Sequence, residues 1–294
     1  MSASFQNFSD FLNWWFKTSR LNGLAEKIFN EYYSSYRKNS CDYLLEAWID
    51  RHLELENELE TLRDKTDIKV LDIGCGTGSV SLYSAYILQG HGHVLGIDIN
   101  KKRLYCGMER KKVLERELGY RLACQFVESS IISHPLKEKY DLIYLEEAFH
   151  HMEPRLKIVK NISNLLKSKG MLIISEVNAY NPFMQFTLMK KRGLKTIDKR
   201  NNANGKAYLY GDERILPARQ VARLFRKHHL KIKSLRYFRV ASSALAQAFD
   251  KKGINPMAFE KKILRSSLLS RLISVHYNIV LQKGGCSDEP VLSV

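Results

Sequence analysis

The chain has 294 residues, 45% of them apolar, and 47 Lys and Arg against 31 Asp and Glu give a formal net charge of +16. This content supplies a sizeable core, and no run approaches the roughly 20 apolar residues of a membrane span, which excludes a disordered chain and leaves no candidate for an integral membrane helix. Five scattered cysteines (Cys41, Cys75, Cys106, Cys124, Cys286) form no C-x-x-C pair, so neither a disulfide framework nor a zinc site is expected, and no metal is.

Residues 1–66 read as helices. Ser9 is placed to cap an aromatic segment with Phe11, Leu12, Trp14, Trp15 and Phe16. Tyr32, Tyr33 and Tyr36 follow on a second helix, and Ser40 opens a long third one carrying Leu44, Leu45, Trp48, Ile49, Leu53 and Leu59. Asp10 and the lack of a basic region ahead of Trp14 and Trp15 argue against a secretory leader, so the expected location is cytoplasmic.

From Ile68 to Asn100 an apolar run (Val70, Leu71, Ile73) ends in Gly74-Cys75-Gly76-Thr77-Gly78, an amphipathic segment follows, and a second apolar run (Val94, Leu95, Ile97) ends in Asp98. That order predicts strand, glycine loop, helix and parallel strand. A loop without Cβ atoms lets a nucleotide approach the backbone. The dinucleotide fingerprint needs a sixth-position glycine where this chain has Ser79. Asp72 would repel a pyrophosphate but attract a cationic amino group, and Asp98 can accept from ribose hydroxyls. The pattern suits a nucleoside that bears an amino acid and no phosphate.

At these residues the chain resembles the class I S-adenosylmethionine-dependent methyltransferases, whose first motif looks like the VLDIGCGTG of residues 70–78. The likeness runs from about Ile68 to Val177, and more loosely to Lys283. It implies a Rossmann-like α/β fold: a seven-stranded, mostly parallel sheet with helices on both faces, occupying 67–283. The helical block 1–66 would then act as a lid. The resemblance further implies S-adenosylmethionine as cofactor, with Asp72 and the backbone of Gly74, Cys75, Gly76, Thr77 and Gly78 around the methionine part and Asp98 at the ribose. Ile99, Ser130, Ile131 and Leu145 would complete that site.

Beyond the loop, Lys101–Gly119 predicts a basic amphipathic helix, and Leu122–Val127 a strand. The family's Gly-Asp pair after this strand is replaced by Ser129 and Ser130; a hydroxyl still accepts a hydrogen bond, and the backbone at Ile131 can serve the adenine. Asp141–Leu145 is a fourth strand whose carboxyl end runs into Glu146-Glu147-Ala148-Phe149-His150-His151, where open α/β sheets place their ligands. A helix over Pro154–Lys167 and a fifth strand over Met171–Val177 follow. Residues 178–216 form an insertion with a helix at Phe183–Lys191 and a polar loop holding Lys195, Lys199, Arg200 and Lys206. After a helix (Pro217–His229) and a sixth strand (Ile232–Val240), a second insertion at 241–272 has the spacing of a basic amphipathic helix, with Leu264, Leu268, Leu269 and Leu272 among Lys261, Lys262, Arg265 and Arg271. The last strand is expected at Val275–Gln282, and 284–294 as a disordered tail.

Charge is uneven: residues 1–66 carry 8 Lys and Arg against 11 Asp and Glu, whereas residues 178–294 carry 23 against 7. A one-sided basic region suits an anionic membrane surface, nucleic acid or an acidic substrate, and equally a solvated face.

Methyl transfer needs alignment of nucleophile, carbon and sulfur, exclusion of water, and removal of a proton where the acceptor is a hydroxyl. The candidate bases are His150 first, His151 second and then Glu146, with Glu147, Tyr32 and Tyr36 farther out; the histidine pair also reads as ordinary packing. The leading function is methyl transfer to a hydroxyl or activated carbon of a small apolar or lipid-like acceptor. An RNA methyltransferase is the alternative the charge suggests, although no accessory RNA-binding motif accompanies it, and a non-catalytic cofactor-binding module is the third.

Overall fold

The computed structural model describes residues 4–17, 21, 23–34, 42–133, 137–201, 207–241, 243–254 and 256–285. Ser40, Tyr36 and most of the expected tail lie outside them. In chain order the elements are α1 (Phe8–Lys17), α2 (Gly23–Tyr32), α3 (Asp42–Arg51), α4 (Leu53–Leu62), β1 (Ile68–Ile73), α5 (Ser79–Leu88), β2 (Gly92–Asp98), α6 (Lys101–Leu118) and β3 (Cys124–Glu128). Then come β4 (Tyr140–Glu146), a 3-10 turn (Phe149–His151), α7 (Arg155–Leu165), β5 (Leu166–Val177), α8 (Pro182–Arg192), β6 (Ile197–Asn201) and β7 (Ala207–Gly211). The chain continues through α9 (Ala218–Arg226), β8 (Leu230–Phe238), α10 (Ser243–Lys251), α11 (Pro256–Leu264), α12 (Ser267–Ile273) and β9 (His276–Lys283).

Strands covered on both faces need apolar residues at successive positions, and β1, β4 and β5 have them. They build a seven-stranded sheet in the order β3-β2-β1-β4-β5-β9-β8. β1 to β5 are parallel, and β9 runs antiparallel to both β5 and β8. The two-residue period sends Val70, Leu142 and Ile173 to one face and Leu71, Ile143 and Leu172 to the other. The first face packs on α1, α2, α4, α5 and α6; the second packs on α7 and α9.

The N-terminal helices are thereby part of the sheet's core, with Phe8, Phe11, Leu12 and Trp15 fully buried. Helix α1 starts one residue before Ser9, because the Asn7 side chain accepts from the backbone N–H of Asp10 at 3.0 Å and supplies the cap. The expected long third helix is broken at His52 into α3 and α4. The ring at the break is held in the site described below, where His52 Nε2 meets Glu146.

The first insertion is more structured than expected. Its polar stretch is an antiparallel hairpin, β6 paired with β7, instead of a loop. The second insertion is three short helices, α10 to α12, instead of one amphipathic helix; Gly253 has φ +65 between the first two, and Ser266 caps the third by accepting from Leu269 N–H. Among the described residues no helix is long and apolar enough to cross a membrane.

Candidate active site

Strands β2 and β3 lie on one side of β1 while β4 and β5 lie on the other, so the carboxyl edge between β1 and β4 is where the sheet's connections diverge. Open α/β folds bind ligands there. The glycine loop sits at that edge, with the N–H groups of Gly74 and Cys75 both donating to the carbonyl of Ile97, at 2.8 and 3.1 Å. Gly78 has φ +82 and begins α5; a Cβ there would collide with the Phe126 ring.

Asp98 ends β2 with its carboxylate spread across the loop: one oxygen accepts from Gly76 N–H at 2.9 Å and the other from Asn100 N–H at 2.7 Å. Asp72 is buried in β1 and accepts from the Ser81 hydroxyl at 2.6 Å. Burial pushes its pKa up to about 7, against the opposing hydrogen bond from Ser81, with the carboxylates of Glu146 and Asp98 adding to the rise. The two acids therefore bracket the loop within electrostatic reach of each other.

The helical block grips this loop. Trp15 Nε1 donates to the Tyr33 hydroxyl at 3.2 Å, and that hydroxyl shares a hydrogen bond with Thr77 Oγ1 at 2.8 Å. Tyr32 lies over Gly76, so close that a Cβ on the glycine would come within 3.0 Å of the tyrosine oxygen, and the Arg103 guanidinium stacks 4.7 Å from the Tyr32 ring. Of the remaining expected cofactor residues, Ile99 is exposed while Ile131 and Leu145 are buried. Ser130 Oγ accepts from Ile132 N–H at 3.3 Å, and the Ile131 carbonyl accepts from Asn161 at 2.9 Å.

At the end of β4 the expected base Glu146 is an ion-paired carboxylate. It accepts from Arg51 at 2.9 Å and from His52 Nε2 at 3.0 Å. Burial would raise its pKa, but His52 and Arg51 outweigh burial and hold it at about 2, which makes it a weak proton acceptor. Glu147 accepts from the same guanidinium at 2.9 Å and from His276 Nε2 at 2.9 Å. Burial is again outweighed, by Arg51 and His276, and Glu147 stays well below the usual carboxylate range. Its backbone turns at φ +44, a left-handed conformation that costs a non-glycine residue roughly 1 kcal/mol.

The histidine pair has all of its ring nitrogens in contacts. His150 Nδ1 lies 2.6 Å from Glu176 Oε2, His151 Nδ1 lies 2.9 Å from the Gly211 carbonyl, and the two Nε2 atoms are 3.0 Å apart. Burial lowers the affinity of His150 for a proton, but Glu176 more than restores it and its pKa is raised; burial and the neighbouring His150 together lower that of His151. The β6–β7 hairpin closes over the pair, with Tyr210 stacked on His151 at 4.8 Å. Glu213 brings a third ligand-type atom, so that one atom each of His150, His151 and Glu213 lie within 4.8 Å of one another; Glu213 also accepts from Lys191 at 3.0 Å.

Arg51, His52, Glu176, Glu213 and His276 were not expected at the site. Glu176 alone carried a local signal, an acid inside the apolar run Met171–Val177.

A family model described as a methyltransferase domain matches residues 64–234. The ubiquinone/menaquinone biosynthesis C-methyltransferase of Wigglesworthia glossinidia brevipalpis is 26% identical over 184 residues, 62% of this chain and 69% of that protein. A ubiquinone biosynthesis O-methyltransferase of Actinobacillus pleuropneumoniae is 30% identical over 112 residues, 37% of this chain and 46% of that protein. Phosphoethanolamine N-methyltransferase 1 of Zea mays is 29% identical over 140 residues, 46% of this chain and only 26% of the maize protein. Among solved structures, the magnesium protoporphyrin IX methyltransferase of Synechocystis PCC 6803 shares the fold with a TM-score of 0.52 at 15% identity, covering 88% of this chain and all of the other. An S-adenosylmethionine-dependent methyltransferase of Clostridium acetobutylicum gives 0.52 at 16%, covering 87% and 98%. With the glycine loop at the sheet's divergence and the family model over more than half its length, the chain belongs to the class I S-adenosylmethionine-dependent methyltransferases.

Proposed function

We propose that this protein methylates a hydroxyl oxygen or an activated carbon of a small, apolar, lipid-like acceptor. The observation that carries the chemistry is the Glu176–His150–His151 chain at the same carboxyl edge as Asp98 and the glycine loop. The relatives named for C- and O-methylation in ubiquinone biosynthesis support an acceptor carbon or oxygen.

S-adenosylmethionine supplies an electrophilic methyl group and leaves as a neutral thioether, so the protein's work is alignment and proton removal. The loop's bare backbone and the buried acids fit that ligand: Asp98 would accept from the ribose, and Asp72 with the loop would hold the amino-acid end. Tyr32, over Gly76, would cover it from water. The histidine pair takes the acceptor's proton between its two Nε2 atoms. Protonation there completes an unbroken line from Glu176 through His150 and His151 to the Gly211 carbonyl, with every ring nitrogen either donating or accepting.

Incubation of the protein with methyl-labelled cofactor and a cell extract, followed by partition into organic solvent, tests the reading. Label is expected in a small organic-soluble product. Label in RNA instead would transfer the assignment to the basic C-terminal third, and binding of neither the cofactor nor its demethylated product by calorimetry would leave a non-catalytic module.

A further inference from the structure

Helix α8 leaves the sheet at the carboxyl end of β5 and buries one residue, Leu188. At 100° per residue Phe183, Phe186 and Met189 fall within an arc of roughly 120° opposite Leu188. All three are exposed, Phe183 to 76%, and Leu194 just beyond is exposed to 86%. Lys190, Lys191 and Arg192 fill the last turn of the same helix. Such a helix fails to bury its apolar stripe within its own fold.

A second element repeats the pattern beside it. In α12 the exposed apolar residues are Leu268, Leu269 and Leu272, and the buried residue is Ser270. The exposed Lys261, Lys262 and Arg265 precede them. The two helices are joined at their ends: the Asn181 amide donates to the carbonyls of Ile273 and Ser274 at 2.6 and 3.3 Å, the Asn178 amide to those of Arg271 and Ser274 at 2.8 and 2.9 Å, and Arg271 to the Tyr180 hydroxyl at 2.8 Å.

We infer that the exposed faces of α8 and α12 form one docking surface for an anionic lipid bilayer. Apolar side chains ringed by Lys and Arg match the boundary between acyl chains and anionic headgroups. Residues 178–294, which include both helices, hold 23 Lys and Arg against 7 Asp and Glu, and a second copy of the chain on this face would set like charge against like. The surface deepens the lipid-like acceptor reading and rests on it only for its purpose: α8 begins at the edge that carries Glu176 and His150, so a docked protein would take its acceptor from the membrane it lies on.

Vesicle co-sedimentation without cofactor tests docking separately from methyl transfer. Wild type is expected to sediment with phosphatidylcholine vesicles containing phosphatidylglycerol, to stay in solution with phosphatidylcholine alone, and to be released by salt. Replacing Phe183, Phe186, Met189 and Leu194 by serine should abolish sedimentation. Replacing Lys190, Lys261, Lys262 and Arg265 by glutamine should weaken partition by roughly a hundredfold or more. Unchanged affinity for S-adenosylmethionine by calorimetry shows that both variants fold. Wild type remaining in solution, or variants sedimenting like wild type, overturns the inference. So does a dimer by light scattering that the serine variant dissolves without any vesicle binding.

Discussion

Nδ1 of His150 lies 2.6 Å from Oε2 of Glu176, while the other oxygen of Glu176 accepts the backbone N–H groups of Phe149 and His150 at 2.7 and 3.3 Å. One carboxylate thus fixes both the turn after β4 and the tautomer of its histidine, a positioning role distinct from contact with the acceptor.

Glu176→Gln keeps the shape and removes the charge that raises His150. Methyl transfer to a hydroxyl should fall roughly tenfold or more, and the acid limb of the pH–rate profile should move to lower pH. Stability should move with pH as well. A histidine raised in the folded state stabilises fully below its unfolded pKa of roughly 6.5, and that contribution disappears as pH rises through the folded value. The variant should therefore lose more melting temperature at pH 5.5 than at pH 8. An unmoved acid limb would leave Glu176 with a purely structural role.

Asp72 makes the opposite kind of acid from the usual one. Burial lifts it to about 7 from the ordinary 3.8, so its contribution to stability is fully present below the unfolded value and is lost as pH rises from about 4 through about 7. Asp72→Asn removes the cost of ionisation. Without cofactor, the melting temperature of wild type should decline relative to the variant across that window, and parallel melting curves would show that the burial cost is not borne by this group.

For Asp98, whose two oxygens already accept from Gly76 and Asn100, replacement by alanine removes the loop's brace and the ribose acceptor together. Calorimetry should show S-adenosylmethionine binding weakened by about 1.5 to 3 kcal/mol, the range of hydrogen bonds to charged groups. An equal affinity would remove Asp98 from the cofactor site.

The parts of this structure that were legible in the sequence are those fixed by local pattern. The parallel strands follow from apolar runs such as Val70–Ile73 and Leu142–Leu145, and the loop from three glycines where the backbone turns. Contacts between distant segments were not legible. His52 breaks a helix to meet Glu146, 94 residues away, and the amphipathic spacing of Leu44 to Leu59 contains no trace of that pull. The hairpin β6–β7 read as a loop because Lys199, Arg200 and Asn201 are polar, although its Gly211 carbonyl completes the histidine chain. Ser9 is the cap the sequence suggests, whereas the Asn7 side chain accepts from Asp10 N–H one residue before the helix and takes that role.

The same sequence separation hides Arg51, whose charge ties α3 to the end of β4. Its guanidinium separates two adjacent acids, bonding Glu146 and Glu147 at 2.9 Å each, with its side chain only 10% exposed. Arg51→Met would leave the half-buried Glu146 and the more exposed Glu147 without that charge, at a cost of about 1 to 3 kcal/mol after solvent screening, measured by urea unfolding at pH 7. Glu146 is held at about 2, so the stability it contributes is present above its ordinary value of 4.5 and is lost as pH falls toward 2. The variant's deficit should accordingly be largest near neutrality and shrink in acid, where its two carboxylates take up protons. Glu147→Gln added to Arg51→Met should recover part of the loss by neutralising one of the two acids. A deficit of the same size at pH 4 and pH 7 would mean that packing of the arginine stem, and not its charge, holds α3 to the end of β4.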